Sequence, residues 1–143
     1  INFPTWMLAS MIFIIGAALS LATGSSWGTF ALVIPIVVPL AAALDASIPI
    51  CLGAALSGGL FGDQTSPISD TTVLSSMSSG VNHMAHVETQ FPYALVTAAF
   101  AFVGFIIASL LSSGTPVYFT VALLFIAMAC FYLFLSKTRF GRL

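Results

Sequence analysis

SGGLFGDQTSPISDTT, residues 57–72, is the stretch on which the reading of this chain turns. It begins inside an apolar run that starts near Ser47 and leads into a short polar run, 71–79, of helical character. Gly58, Gly59 and Gly62 permit backbone conformations that other residues avoid. Pro67 lacks a backbone donor and pushes Ser66 away from helical geometry. Ser69 or Asp70 can then cap a second helix. The pattern predicts a helix over 47–79 that is interrupted at roughly 62–69.

An open backbone at membrane depth is tolerated only where protein or a water-filled cavity surrounds it. Such a break also makes an ion site. The first half-helix ends in free carbonyls that suit a cation, and the second begins with free N–H groups that suit an anion. Two carboxylates, Asp63 and Asp70, stand at this break with the hydroxyls of Ser66, Ser69, Thr71 and Thr72. All-oxygen ligands of this kind fit a small hard cation, so Na⁺ at Asp63 and Asp70 is the expected occupant. A desolvated carboxylate takes up a proton more readily than one in water. One site could thus hold either Na⁺ or H⁺. Taken singly, a structural reading is the plainer one, Asp63 as an interfacial residue and Asp70 as a helix cap; the pair around a Gly/Pro break in a membrane span favours function.

The rest of the chain agrees with a membrane setting. Charged residues make up 5% and hydrophobic ones 59%, and the mean hydropathy is +1.13. A soluble domain carries about 25% charge. No charge occurs over 1–44 or over 89–136, and a bilayer span needs roughly 20 apolar residues. The apolar runs are apolar on all sides, which excludes the alternation of a β-barrel. Their recurrence along the whole chain excludes a signal peptide. The expected class is all-α: a polytopic membrane protein with a discontinuous helix, read as one transmembrane unit over 1–143. With a net charge of −1 and no basic stripe, nucleic acid is not an expected partner. Cys51 and Cys130 lie inside apolar runs and read as small buried hydrophobes.

Residues 1–46 form either a re-entrant hairpin or two spans, joined by the Gly/Ser-rich turn GSSWGT at 24–29; the shortness of the second run, with Pro35 and Pro39, tilts the reading toward the hairpin. Residues 80–91 read as a hydrophilic loop, 92–112 and 116–136 as plain spans, and 137–143 as a tail. Lys137, Arg139 and Arg142 all follow the last span. The positive-inside rule therefore puts the C-terminus and the 80–91 loop in the cytoplasm, in a multi-pass protein of the cell (inner or plasma) membrane. The chain begins at Ile1 and enters an apolar run almost at once, so a fragment whose N-terminal partner helices lie elsewhere is expected. Small-xxx-small pairs, Gly53 with Ser57 and Gly104 with Ala108, are compatible with helix packing and with a homodimer.

His83, His86 and Glu88 have a spacing that a metal site could use, but no second ligand cluster accompanies them. A surface loop is the plainer reading; pH sensing by the two histidines is the functional one. Asp45 reads as an interfacial turn residue.

Three stretches resemble the NhaC-type Na⁺/H⁺ antiporter family: TGSSWGTFALVIPIVVPLA (23–41), SGGLFGDQTSPISDTTVLSS (57–76) and HMAHVETQFPYAL (83–95). The resemblance covers most of the chain and the C-terminal part of the family's length. Gln64 stands where many members carry a histidine. The resemblance implies secondary active transport by an ion-transporter-type fold, of which this chain would be one half of an inverted repeat. It implies transported Na⁺ (or Li⁺) and H⁺ with no cofactor, and it leaves open malate/lactate exchange coupled to Na⁺ and H⁺.

Two transport readings thus stand side by side. In the first, a cation/proton antiporter alternates access around Asp63 and Asp70. In the second, an organic-anion exchanger uses Ser25, Ser26 and Thr29 of the 24–29 turn as a secondary ion or substrate site. No Arg or Lys lies at membrane depth to pair with an organic anion, which favours the first. An intramembrane protease fails on residue identity: Leu60 replaces the first glycine of a Gly-x-Gly-Asp motif, and Ala55 that of a Gly-x-Ser-Gly motif. A channel is separated from an antiporter by obligatory exchange.

Overall fold

The computed structural model describes residues 4–111 together with 118, 119, 121, 122, 125–129 and 131. Five helices follow in order: α1 (Thr5–Thr23), α2 (Ser26–Ala43), α3 (Ile48–Thr65), α4 (Asp70–Ser78) and α5 (His83–Leu111). The described residues from 118 onward are helical as well. The turn expected at 113–115, the tail 137–143 and Cys130 lie outside the described residues, as does much of the last expected span.

By length and composition α1, α2 and α5 are each able to cross a membrane, with 19, 18 and 29 residues. At about 1.5 Å per residue, even α2 reaches most of the way across a hydrocarbon core of about 30 Å. Pro35 and Pro39 lie within α2 without ending it.

The core is where α1, α2 and α3 meet. Leu8, Ala9, Ile12 and Phe13 from α1 are buried against Ile50, Cys51, Ala54 and Ala55 from α3, with Val33, Val37 and Ala41 from α2. Phe102 and Phe105 of α5 pack on the same cluster, and the Phe13 and Phe105 rings lie 5.7 Å apart. Outside this core large apolar side chains point outward, among them Ile14, Ile36 and Leu74. That surface suits lipid or further helices of a membrane protein, where apolar exposure carries no penalty.

The glycines of α3 have a different use from the one expected. Helix α3 runs without interruption through Gly58, Gly59 and Gly62 to Thr65. A Cβ on Gly58 would overlap the Phe13 carbonyl, and one on Gly62 would overlap the Ala17 carbonyl and lie 2.6 Å from the Leu21 nitrogen. These residues let the backbones of α1 and α3 touch, as small residues do between membrane helices. The Ser20 hydroxyl of α1 donates to the Gly59 carbonyl across this contact at 2.6 Å. Opening of the helix is left to Pro67: Ser66 before it is extended, with φ −75° and ψ 127°. The interruption is therefore 66–69, narrower than the expected 62–69.

The first interruption is narrower too. α1 ends on Gly24, which is left-handed at φ 66° and donates its N–H to the Ser20 carbonyl. α2 begins two residues later. The loop expected at 80–91 is also mostly helix, since α5 starts at His83. Asn82 makes this start by accepting from the Met84 and Ala85 N–H groups, a capping arrangement that fixes a helix origin. α4 stops at Gly80, left-handed at φ 66°, with Gly80 N–H donating to the Met77 carbonyl and Val81 N–H to that of Ser76. This paired ending is the one glycine supplies after a helix.

Candidate functional site

Asp63 lies in the last turn of α3, one turn before the interruption, and is buried at 5% exposure. Three hydroxyls from outside α3 surround its carboxylate. Ser69 Oγ donates to Oδ1 at 2.6 Å, Ser26 Oγ to Oδ2 at 3.2 Å, and Thr71 Oγ1 stands 3.4 Å from Oδ2. Ser69 and Thr71 are 2.7 Å apart. A hydroxyl has one hydrogen. With that of Ser69 committed to Asp63, Thr71 donates to Ser69 in the shorter of its two contacts. The result is a hydroxyl chain ending on one buried carboxylate.

Helix termini supply this chain. Ser26 is the first residue of α2, Ser69 is the residue before α4, and Thr71 is in the first turn of α4. Both N-termini carry partial positive charge, which matches the Asp63 carboxylate. The two interruptions also touch each other. Ser66 Oγ donates to the Leu21 carbonyl near the end of α1 at 2.8 Å. A Cβ on Gly24 would come within 2.8 Å of Ile68 Cγ1. Asp63 is thus held at a junction of four helix ends.

The residues anticipated for ion binding divide in this arrangement. Asp63, Ser69 and Thr71 come together, and Ser26 from the anticipated secondary set joins them. Ser66 binds α1 instead, and Thr72 Oγ1 lies 3.5 and 3.4 Å from the Asp63 and Gln64 carbonyls. Ser25 caps α2 by accepting from the Gly28 N–H at 3.3 Å. Thr29 donates to the Ser25 carbonyl at 2.9 Å. Asp70 is exposed at the first position of α4, and its Oδ1 accepts from the Thr71 N–H at 2.9 Å.

Two helpers escaped sequence reasoning. Ser20, within an apolar run, holds α1 to α3; its only signal is a place among small residues. Gln90, taken as the end of a loop, donates through Nε2 to the Gln64 carbonyl at 3.2 Å. The anticipated pH-sensing pair also finds partners. His83 Nε2 is 2.6 Å from the Pro67 carbonyl and its Nδ1 is 3.1 Å from Ser76 Oγ. His86 Nε2 is 3.1 Å from Ser75 Oγ.

Several known proteins are similar to this chain in sequence. Over 115 residues the chain is 43% identical to an uncharacterized protein of Haemophilus influenzae, covering 79% of the chain and 22% of the relative. It is 38% identical over 105 residues to the malate-2H⁺/Na⁺-lactate antiporter of Bacillus subtilis, 70% of the chain and 22% of that protein. A third similar protein, an uncharacterized Na⁺/H⁺ antiporter of Haemophilus influenzae, is 37% identical over 59% of the chain and 18% of its own length. The chain therefore spans about one fifth of the curated relatives it matches. No solved structure matches it. The model of the Na⁺/H⁺ antiporter family matches residues 2–110, which include every residue of the Asp63 junction, and the chain belongs to that family.

Proposed function

We propose that this chain forms part of a secondary active transporter that exchanges Na⁺ (or Li⁺) for H⁺ at Asp63. The observation that carries the reading is the buried carboxylate with three hydroxyls from two other helix ends around it. When Na⁺ occupies the site, the carboxylate and the hydroxyl oxygens of Ser26, Ser69 and Thr71 serve as ligands, and the hydroxyl hydrogens rotate away. When Na⁺ leaves, a proton neutralises Asp63, so the carboxylate is never left both buried and uncompensated. Asp70, exposed beside the junction, contributes negative charge at its rim rather than a first ligand. The remainder of the transporter encloses the pathway. The C-terminus faces the cytoplasm of the cell membrane.

The test is Na⁺-driven proton flux by the full-length protein in vesicles, varying Na⁺, Li⁺, K⁺ and malate against a pH gradient. Flux that requires Na⁺ and is lost in Asp63→Asn supports the reading; K⁺ serving as well as Na⁺, or flux without obligatory exchange, refutes it. Similarity to a malate-2H⁺/Na⁺-lactate antiporter supports a second reading, in which Na⁺ and H⁺ move with an organic anion. In that case malate on one face accelerates Na⁺ movement.

A further inference from the structure

α2 carries two prolines four residues apart, and each deprives a carbonyl of its helical partner. Pro35 has no N–H for the Ala31 carbonyl, and Pro39 has none for the carbonyl of Pro35. Residues 30–43 of α2 are all apolar, so no hydroxyl in this part of the helix can serve either oxygen. Among the described residues no side chain of another helix donates to them. Ala31, Pro35 and Pro39 all lie on the exposed side of α2, and the two oxygens stand one turn apart, about 6 Å along the axis.

In hydrocarbon such a carbonyl finds no donor and carries a heavy penalty. The side of α2 that bears the pair is therefore unsuited to lipid. The adjoining row of Leu32, Ile36 and Leu40 is exposed and bulky, and suits lipid well. On the carbonyl side, Trp27, Phe30, Ala31, Ile34 and Pro35 line an open groove of about 350 Å³. Its aromatic wall is fixed: the Phe30 ring rests on α3 at Gly59, where a Cβ would lie 2.5 Å from Phe30 Cε1, and Trp27 stands edge-on to Phe30 at 6.2 Å. The groove begins at the Asp63 junction, since Trp27 follows Ser26, whose hydroxyl donates to Asp63. Just past the far end of α2 stands Asp45, also exposed.

We propose that the Ala31–Pro35 side of α2 walls a water-filled route along which Na⁺ reaches Asp63, with the two unpaired carbonyls as oxygen ligands on the way. Pro35 and Pro39 are then positioning residues, which act by keeping those oxygens free. A helix packed over the row would have to bring a donor to each of two carbonyls one turn apart, whereas water supplies donors anywhere along it. Carbonyl oxygens also replace part of the hydration shell of a hard cation. Charge points the same way. A carboxylate stands at each end of α2, Asp45 and Asp63, and no Lys or Arg occurs before residue 137. A cleft bounded by one sign of charge concentrates ions of the other.

This inference rests on the Asp63 reading for what travels along the row, but not for its wetting, so two measurements separate them. Thiols react as thiolates, which form in water and not in hydrocarbon. The full-length protein in lipid nanodiscs, where both faces are open, is treated with an impermeant cationic or anionic thiol reagent, and labelling above wild type is read by mass. Ala31→Cys should react, while Leu32→Cys and Ile36→Cys on the neighbouring row should not. The cationic reagent should be preferred at Ala31→Cys by about tenfold more than at Val81→Cys, in the turn before α5. An unreactive Ala31→Cys means a packed helix or lipid and overturns the route, as does equal reaction at 31 and 32; equal reagent preference at 31 and 81 overturns its use by cations. Na⁺-driven proton flux then tests the oxygens. Pro35→Ala returns an N–H to the Ala31 carbonyl in a better helix former. It should raise the Na⁺ concentration for half-maximal exchange about three- to tenfold, the weight of one hydrogen bond, with the maximal rate kept. An unchanged Na⁺ dependence removes the carbonyls from the route. Flux that is lost in Asp63→Asn while Ala31→Cys stays unlabelled overturns the route alone; absence of Na⁺-driven flux from wild type overturns the Asp63 reading alone.

Discussion

Ser69 occupies the position that ordinarily caps a helix, yet its hydroxyl donates to Asp63 Oδ1 at 2.6 Å and makes no bond to the N–H groups of α4. A cap lost is worth about 1 kcal/mol of helix stability, and here the hydroxyl is spent on a buried carboxylate instead. Ser69→Ala should therefore leave the fold intact and raise the Na⁺ concentration for half-maximal exchange about tenfold, the weight of a bond to a charged group. Ser25→Ala, which removes a cap in use, should lower thermal stability by about 1 kcal/mol with Na⁺ dependence unchanged. Reversal of that pattern would reassign Ser69 as a structural residue.

Asp63→Asn keeps the size of the side chain and removes its charge. Na⁺-driven proton flux should fall to background while expression and monodispersity in detergent are retained, because removing an intramembrane charge need not destabilise. If Na⁺ and H⁺ compete for Asp63 as proposed, the apparent Na⁺ affinity of the wild type should fall as pH falls. Asp70→Asn, at an exposed position, should weaken Na⁺ affinity less than Asp63→Asn does. Wild-type flux in Asp63→Asn would remove the residue from the ion site.

The contact of α1 with α3 is tested by alanines. At Gly58 and Gly62 the added methyl meets backbone of α1, which cannot swing aside; overpacking of this kind costs about 1–3 kcal/mol. At Gly53 the nearest atom is 3.8 Å away on the Phe105 ring, and alanine there should be neutral. Thermal denaturation of the purified protein ranks the three. Equal melting of Gly53→Ala and Gly62→Ala would mean that the helices do not touch as described.

Much of this architecture was legible in the residues. Absent charge and apolar runs predict membrane helices, and Pro67 with its neighbours predicts the interruption. The glycines misled because their type admits two uses. Glycine ends a helix at 24 and 80, where φ is 66°, but at 58 and 62, four apart, it lines one helix face, and only the partner helix reveals which use applies. The loop at 80–91 was misread because polarity resembles solvation; the Asn82 side chain starts a helix there. Ser26 reaching Asp63 was not recoverable by spacing, since 37 positions separate them and only the packing of α2 on α3 closes the gap.

Orientation can be read by labelling. Cysteines placed at Thr115 and Thr138 flank the last expected span. With the basic residues inside, an impermeant thiol reagent applied to intact cells should label Thr115→Cys and spare Thr138→Cys. External labelling of Thr138→Cys would invert the assignment.

The contact between Gly24 and Ile68 has a consequence for how this sequence can change. Gly24 is left-handed, with the Ile68 side chain and backbone where its Cβ would be, so two turns far apart in the chain share one volume. A larger residue at 24 would be admissible only with a shortened one at 68, and even then against the left-handed backbone. Across a set of orthologues the two positions should therefore vary jointly or not at all. A recombination point falling between them would join turns that had never been fitted to each other.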